Sequence, residues 1–197
     1  SLLMVLAQPG LRRKLARRAL AEPLYAEAVP ERFGQYTSAW PAAPGPTVWV
    51  HAVSLGETRT AALLIVLLRQ ALPGMRLLLT HGTATGRAEG ARLLQPGDAQ
   101  AWLPWDSPGP VRRFVQQFRP DIGILMETEV WPNLVAACQQ QGVPLVLANA
   151  RLSEQSFHKA QRLAWLAQPA YRALAAVWAQ APDDARRLQA LGSPVQG

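Results

Sequence analysis

Length, composition and charge place this chain among globular proteins and narrow the kinds of site it can hold. It has 197 residues, 49% of them hydrophobic and 17% charged, which excludes a disordered or collagen-like chain. One cysteine and three scattered histidines exclude a disulfide framework and a multi-cysteine zinc site, and no metal or cofactor is expected. The net charge of +7 is compatible with an anionic partner, whereas the 7% aromatic content does not favour nucleic acid.

The N-terminal segment, residues 1–35, is basic, and we expect it to be helical. Its apolar start is too short to span a bilayer, which takes about twenty residues. Residues 11–20 follow an expected turn at Pro9–Gly10 and carry five cations and no acid. The leucines that can share one helical stripe there are Leu11, Leu15 and Leu20. This pattern predicts either an interfacial helix on an anionic membrane surface or a solvated helix packed on its own domain.

The body of the chain, residues 47–197, follows a proline-rich loop over residues 36–46 and alternates apolar runs with helical stretches. The predicted strands are Val48–Val53, Arg76–Thr80, Ala99–Leu103, Asp121–Met126, Pro144–Asn149 and Ala176–Gln180. The predicted helices are Thr58–Leu72, Thr85–Leu94, Pro108–Phe118, Pro132–Gln141, Ser153–Leu174 with a break at Pro169, and Pro182–Leu191. This alternation is typical of a Rossmann-like α/β domain, a parallel sheet with helices on both faces that binds ligands beyond the carboxyl ends of its strands.

Common nucleotide-binding and hydrolase motifs are absent from the sequence. No G-x-G-x-x-G follows the first predicted strand, and neither G-x-S-x-G nor H-E-x-x-H occurs. Gly82, Gly86 and Gly90 recur every four residues, which fits neither a dinucleotide fingerprint nor a P-loop. These absences argue against a dehydrogenase, an NTPase, a serine hydrolase and a zinc protease.

The loop after the first predicted strand carries a carboxylate at the start of a helix. Ser54 and Glu57 have the spacing of a capping box, in which the serine caps the helix and the glutamate returns the hydrogen bond. The alternative is that Glu57 acts as a general base, since the helix dipole keeps it ionised and able to take a proton from a hydroxyl. Gly56, between the two, would let a ligand approach the backbone.

The loop after the fourth predicted strand carries two more acids, Glu127 and Glu129. We expect at most one of them to share a site with Glu57. The alternative is that Thr128 or Glu129 caps the following helix, whose N-terminus favours acidic side chains.

Three further loops at predicted strand ends carry polar side chains. Residues 80–86 are rich in hydroxyls, and Thr83 and Thr85 suit a sugar or an anion held by backbone N–H groups. The loop that contains Asp106 is interpreted mainly as the start of a helix. After the fifth strand, Asn149 is followed by Arg151. We expect Arg151 either to grip a phosphate or to pair with one of the glutamates that follow the fourth strand.

Five strings at predicted strand ends occur in an order that resembles the N-terminal half of the 3-deoxy-D-manno-octulosonic acid (Kdo) transferases of lipopolysaccharide assembly. They are HAVSLGE (51–57), THGTATG (80–86), LPWD (103–106), METEVWPN (126–133) and ANARLS (148–153). The resemblance starts near PERFG (30–34) and covers half of that family's protein. It implies a GT-B arrangement of two facing Rossmann-like domains, in which this chain is the acceptor side and the C-terminal donor domain is absent.

The resemblance also implies roles for individual residues. Glu57 matches the family's catalytic base, and Glu127 matches a glutamate linked to transition-state stabilisation. The implied reaction is inverting transfer of Kdo from CMP-Kdo to a lipid A precursor, at the cytoplasmic face of the inner membrane, where the protein is peripheral or N-terminally anchored. The candidates for substrate contacts are Ser54, Gly56, Thr83, Thr85, Glu129, Asn149 and Arg151. Without a donor domain, we expect the 197 residues alone to be inactive.

Two other functions are open from the sequence. The first is a non-catalytic α/β module that binds an anionic lipid-linked ligand through Arg151 and the helix starts, with no dependence on Glu57. The second is a GT-B glycosyltransferase that uses another nucleotide sugar, such as a UDP-sugar. A second Rossmann-like domain further along the gene would exclude the binding module.

Overall fold

The computed structural model describes residues 2–37, 40 and 44–196, so the expected loop over residues 36–46 lies partly outside the described residues. The helices are α1 (Leu2–Ala19), α2 (Leu55–Ala71), α3 (Ala84–Ala91), α4 (Pro108–Phe118), α5 (Pro132–Gln140), α6 (Glu154–Arg162), α7 (Ala164–Arg172) and α8 (Pro182–Ala190). The strands are β1 (Thr47–His51), β2 (Arg76–His81), β3 (Ala99–Trp102), β4 (Ile122–Met126), β5 (Leu145–Ala150) and β6 (Ala176–Ala179). Two short 3₁₀ helices, Pro23–Ala26 and Val29–Phe33, follow α1.

The six strands form one sheet in the order β3-β2-β1-β4-β5-β6, and every neighbouring pair runs parallel. This is the strand order of a doubly wound Rossmann-like fold. The direction of winding reverses between β1 and β4, so these two strands are adjacent although β2 and β3 separate them along the chain. The predicted fold class is confirmed.

Alternate residues of the central strands supply two apolar cores, one on each face of the sheet. Trp49 of β1 faces one core, where its ring lies 4.9 Å from that of Phe114 on α4. Val48, next to it, faces the other core together with Ile65 of α2. Gly123 on β4 makes room for the indole, because a Cβ at that position would lie 2.6 Å from the Trp49 ring. Each fully buried apolar side chain of this kind contributes about 1.5–3 kcal/mol relative to exposure.

The long helical stretch after β5 breaks at a different residue from the one that the sequence predicts. Pro169 lies inside α7, and the break falls at Leu163, between α6 and α7. Proline removes one N–H donor, but its fixed φ is helical, so a helix can continue through it. The prediction of a break at Pro169 is therefore wrong.

The basic N-terminal helix is continuous and packs on the domain. α1 passes through Pro9, so the expected turn at Pro9–Gly10 is wrong. Leu15 is buried in a small cluster with Tyr25 and Ala84. Leu20 lies beyond the end of α1 and is 89% exposed, so it does not share the stripe predicted for it. One leucine and the first 3₁₀ helix therefore hold α1 in place.

Candidate active site

The two acid-bearing loops predicted from the sequence follow neighbouring strands. β1 and β4 pair directly, with His51 beside Leu125 near their carboxyl ends. Ser54 and Glu57 follow β1, and Glu127 and Glu129 follow β4. This edge, where the winding direction reverses, is where such sheets open a ligand-binding crevice.

Glu57 is held in the capping box that its spacing predicts. Ser54 is the N-cap of α2 and accepts a hydrogen bond from the Glu57 N–H at 3.3 Å. The Glu57 carboxylate accepts the Val53 N–H at 2.9 Å through Oε2 and the Ser54 hydroxyl at 2.8 Å through Oε1. Each carboxylate oxygen keeps a further acceptor position, because it can take two hydrogen bonds. The box therefore orients Glu57 without using up its capacity to accept a proton.

Gly56 lies in the first turn of α2 beside this carboxylate and is exposed. A Cβ added there would come no nearer to a heavy atom of the loop than 4.0 Å, at Ser54 Oγ. Packing within the chain does not require a glycine at this position. Its role in admitting a ligand stays a prediction.

Glu127 follows β4 in the left-handed backbone region, with a φ of +57°. Its N–H donates to Ala148 O at 3.0 Å, and its carbonyl accepts the Arg151 N–H at 3.2 Å. Asn149, on the neighbouring strand β5, has a φ of +52°. Left-handed non-glycine residues cost on the order of 1–3 kcal/mol each and concentrate at functional sites. Both strained residues lie at the carboxyl edge of the sheet, where the sequence places candidate site residues.

Glu129 interacts electrostatically with both of the other glutamates. Burial, the largest cause, raises the pKa of its carboxyl, and the charges of Glu57 and Glu127 raise it further. Trp131 opposes this shift by donating its indole N–H to Glu129 at 2.6 Å. Glu129 is thus the later acid that lies within electrostatic range of Glu57, and the left-handed Glu127 turns the chain just before it. That at most one of the two later acids shares a site with Glu57 stays a prediction.

The sequence interprets Asp106 mainly as part of the start of a helix, which is α4 in the structure. Its carboxylate instead caps α5, which begins more than twenty residues later in the chain. Its carboxylate accepts the Leu134 N–H at 2.8 Å and the Asn133 N–H at 3.2 Å, at the N-terminus of α5. Trp131 holds the N-cap position of α5 without a side-chain cap bond, so neither Thr128 nor Glu129 caps this helix. Asp106 thereby ties the loop after β3 to the loop after β4.

The hydroxyl-rich loop after β2 is fixed by contacts to the loop after β1. Thr83 donates its hydroxyl to Val53 O at 2.8 Å and accepts the Gly86 N–H at 3.2 Å as the N-cap of α3. Gly86 sits so close to the β1 loop that a Cβ there would lie 2.7 Å from Val53 O. Thr85 is exposed and lines a separate groove with Pro23. The two threonines therefore serve different surfaces.

Two buried histidines form the layer beneath this edge. His51 lies 2.9 Å from the Thr80 hydroxyl through Nδ1, and His81 lies 2.9 Å from the Ala52 carbonyl. Burial is the main reason that the pKa of His51 falls to about 3 and that of His81 to about 4. Both rings are neutral at physiological pH, so they add no positive charge behind the glutamates.

A cleft of about 300 Å³ opens along this edge, and its lining carries side chains of both charges. Thr83, Asp106 and Glu129 are among the lining residues. So are the cations Lys14 and Arg18 from α1 and Arg32 from the second 3₁₀ helix. Glu57 is hydrogen-bonded to Val53, which also lines the cleft. The sequence predicts Lys14 and Arg18 only as part of the basic helix and predicts no role for Arg32.

Arg151 and Asn149 do not join the cleft. Arg151 is exposed, and among the described residues no ion pair links it to Glu127 or Glu129. The predicted pairing with a glutamate is therefore not formed. Phosphate binding by Arg151 stays a prediction.

The described residues contain neither a membrane-spanning helix nor a group of metal ligands. In that part of the chain, no helix is long and apolar enough to cross a membrane. Within the same residues, no group of three or more histidine, cysteine, aspartate or glutamate side chains is arranged to hold a metal ion.

Comparisons with known proteins agree on one family. The family model described as 3-deoxy-D-manno-octulosonic-acid transferase (kdotransferase) matches residues 27–196. A 3-deoxy-D-manno-octulosonic acid transferase of Bordetella pertussis is 49% identical over 173 residues, 83% of this chain and 39% of its own length. The protein of the same name from Haemophilus influenzae is 31% identical over 98% of this chain and 45% of its own length. The chain thus spans less than half the length of these relatives.

A solved structure supports the fold independently. A UDP-N-acetylglucosamine 2-epimerase superposes with a TM-score of 0.55 at 11% sequence identity, over 77% of this chain and 47% of that protein. At this identity the likeness concerns the fold alone. It matches this chain to about half of a longer Rossmann-like protein.

Proposed function

The chain belongs to the 3-deoxy-D-manno-octulosonic-acid transferase family, and from this premise we propose that it is the acceptor-binding half of an inverting glycosyltransferase. In this proposal, residues 47–197 bind a lipid A precursor. A further domain with GT-B geometry presents CMP-Kdo across the cleft. The observation that carries the proposal is the meeting of three glutamates at the β1–β4 edge, where Glu129 lies within electrostatic reach of both Glu57 and Glu127.

Glu57 is the proposed general base. The acceptor hydroxyl donates its proton to the Glu57 carboxylate while the hydroxyl oxygen forms a bond to the anomeric carbon of Kdo. The bond from that carbon to the phosphate of CMP breaks on the opposite face, and CMP leaves with the electron pair. The capping box supports this role, because it holds the carboxylate at the start of α2, just after β1, with acceptor positions free.

Glu127 is proposed to stabilise the transition state. The sugar gains positive charge as its bond to CMP lengthens, and a nearby carboxylate lowers the energy of that charge. The left-handed backbone at Glu127 supports the proposal, since strain of this kind persists only where the surroundings enforce it. Ser54, Gly56, Thr83, Thr85, Glu129, Asn149 and Arg151 remain proposed substrate contacts.

The N-terminal helix is proposed to rest on the cytoplasmic face of the inner membrane. Arg12, Arg13, Arg17 and Arg18 are exposed on α1 and should each attract anionic lipid by about 1 kcal/mol. Changing all four to Gln should therefore weaken binding to phosphatidylglycerol vesicles strongly at low salt, and much less at high salt. Unchanged binding would contradict a membrane role for α1.

A transfer assay distinguishes the proposed function from its alternatives. The complete protein is incubated with CMP-Kdo and a tetraacylated lipid A precursor, and CMP release and product mass are measured. A UDP-sugar replaces CMP-Kdo in a parallel reaction. Product from CMP-Kdo alone supports the proposal, and product from the UDP-sugar alone identifies another transferase. Acceptor binding with no transfer from either donor supports a binding module. Inactivity of these 197 residues on their own stays a prediction.

A further inference from the structure

Arg32 is a buried cation without a carboxylate partner. The residue is only 4% exposed, and among the described residues it forms no ion pair. Its guanidinium stacks 3.9 Å from the Trp102 ring centroid, and Nη2 donates to Gly82 O at 3.0 Å. A buried charge is expensive unless a counter-ion or hydrogen bonds compensate it. One carbonyl and the rings of Trp102, Trp105 and Tyr25 compensate it in part, and no counter-ion contacts it among the described residues.

The nearest acidic neighbour in sequence is committed elsewhere. Glu31 accepts the Trp102 N–H at 2.8 Å and lies 3.5 Å from an Arg87 nitrogen. Burial and the charges of Arg87 and Arg18 lower the pKa of Arg32 to about 10, so it still carries its charge at neutral pH. Electrostatic attraction by Tyr25 and Glu31 opposes this shift, but no ion pair joins Arg32 to a carboxylate among the described residues.

The cleft brings two further cations to the same place, of which Arg18 also donates a hydrogen bond to the Tyr25 hydroxyl at 3.4 Å. Lys14 and Arg18 line it with Arg32, and neither forms an ion pair within the described part of the chain. The indole N–H of Trp105, also in the lining, is buried and has no acceptor among these residues. An oxyanion in the cleft would supply what both the cations and this N–H lack.

We propose that Arg32, Lys14 and Arg18 form a binding site for a phosphate monoester. A phosphate monoester carries a charge of about −1.5 to −2 at neutral pH, which matches three cations better than a single carboxylate does. The planar fork of arginine also suits phosphate oxygens. Glu129 and Asp106 also line the cleft and would repel a second anion. We therefore place the phosphate against the three cations and the uncharged, hydroxyl-bearing part of the ligand toward the glutamates.

This inference rests on the proposed function in one respect: it places the phosphate on the acceptor, so that anchoring the phosphate presents a hydroxyl to Glu57. Binding itself needs no catalysis. Loss of transfer with phosphate recognition intact would therefore count against the proposed function and leave the phosphate site standing.

The first test is calorimetric titration of the protein with glucosamine 6-phosphate and with glucosamine, which differ by one phosphate. We expect the phosphate ester to bind at least about tenfold more tightly, since charge-assisted hydrogen bonds contribute that much. Equal affinity for the two ligands, or no binding of the ester, would overturn a site for soluble phosphate. A second arm uses vesicles of phosphatidic acid, a monoester, against phosphatidylglycerol, a diester of equal sign. Preference for phosphatidic acid with no binding of the sugar phosphate identifies a lipid-borne monoester.

Matched variants decide whether the cleft is responsible. Lys14→Gln with Arg18→Gln should reduce the affinity for glucosamine 6-phosphate, or the preference for phosphatidic acid over phosphatidylglycerol, about fivefold or more, whereas Arg13→Gln with Arg17→Gln removes the same charge from exposed positions of α1 outside the cleft lining. The second pair should change this affinity or preference less than about twofold, since it weakens attraction to both kinds of vesicle alike. Arg32→Gln should lose about tenfold or more, provided that its thermal melting shows a folded protein. Equal weakening by the two pairs would overturn the proposal and indicate general electrostatic attraction, whether or not Arg32→Gln folds.

Discussion

Two groups of charged residues meet at this site and are held in different ways: the acidic side, by which we mean Glu57, Glu129 and Asp106, and the basic side, Lys14, Arg18 and Arg32. On the acidic side, each carboxylate has a donor from its own loop or from a neighbouring one: Glu57 from Val53, Glu129 from Trp131, and Asp106 from the start of α5. On the basic side, Lys14, Arg18 and Arg32 have no carboxylate partner among the described residues. The acids are thus positioned by the sheet edge and take part in the fold. The cations come from helices outside the sheet, and in our proposal they bind a phosphate.

This contrast predicts different consequences for mutations. Changes on the acidic side should affect stability or chemistry one residue at a time, according to what each carboxylate holds. Changes at Lys14 and Arg18, which are exposed, should leave the fold intact and alter only binding. The four predictions below test the acidic side and the layer beneath it, and the paired α1 variants described above test the basic side.

The largest effect should come from Glu57→Gln in the complete protein. Glutamine can keep the capping box, with its oxygen on the Val53 N–H and its amide on Ser54 Oγ, so stability should fall by less than about 1 kcal/mol. It cannot take a proton at neutral pH, so turnover should fall about a hundredfold to ten-thousandfold. Turnover and thermal melting are measured together. Glu154→Gln, at the start of α6, is the matched control and should change neither. Near-normal turnover in Glu57→Gln would remove the residue from the role of base.

The neutral histidine layer should make the protein acid-sensitive. Folding lowers the pKa of His51 and His81 from the ordinary 6.5 to about 3 and about 4. Between these values the unfolded chain binds protons that the native protein does not, so stability is complete above pH 6.5 and falls as the pH drops below it. Each histidine contributes up to about 1.4 kcal/mol per pH unit. Raised pKa values at Glu31, Asp106 and Glu129 act in the opposite direction and reduce the slope.

Denaturant unfolding at pH 7 and pH 5 measures this loss, and ¹⁵N NMR of the imidazoles reports the charge of each ring. Both buried rings should remain neutral at pH 5 in the folded protein. A ring of His51 or His81 that titrates near pH 6.5 would contradict the burial on which the prediction depends.

Asp106→Ala should destabilise the fold by about 1–2 kcal/mol, because it removes the cap of α5 and leaves the Asn133 and Leu134 N–H groups without an acceptor. Asp106→Asn keeps one acceptor oxygen and should lose about half as much. Chemical denaturation at pH 7 measures both. A loss within error for Asp106→Ala would show that the cap bonds are replaced by water and that the acidic side is less tied to the fold than proposed.

The smallest effect should come from Glu129→Gln. Folding raises the pKa of Glu129, so this carboxyl holds a proton more readily in the native protein than in the unfolded chain. The free energy of unfolding therefore falls as the pH rises through the native pKa and the carboxyl becomes charged. Glutamine resembles the protonated form at every pH and can still accept the Trp131 indole N–H. The variant should therefore gain up to about 1 kcal/mol relative to the wild type at pH 7, and this gain should vanish below pH 4. A gain in stability that grows as the pH falls would contradict a raised pKa of Glu129 in the folded protein.

The sequence by itself determined the alternation of strands and helices, the side of the sheet on which each loop lies, and the capping box at Glu57. These depend on neighbouring residues: apolar runs, proline and glycine punctuation, and a serine three residues before a glutamate. The same local character explains the errors at Pro9, Pro169 and Leu20, since the packing of a helix on the domain decides whether it continues.

Only the tertiary structure decided which distant residues meet. The strand order places β1 beside β4, and the left-handed turn at Glu127 brings Glu129 into the electrostatic range of Glu57. Asp106 caps a helix that begins more than twenty residues later. The cations Lys14 and Arg18 of α1 line the same cleft as Arg32. No periodicity or spacing encodes these contacts, because they arise from the burial of whole elements against one another. The sequence likewise does not show that Arg32 lacks an ion-pair partner among the described residues, because this depends on which groups the nearby carboxylates contact.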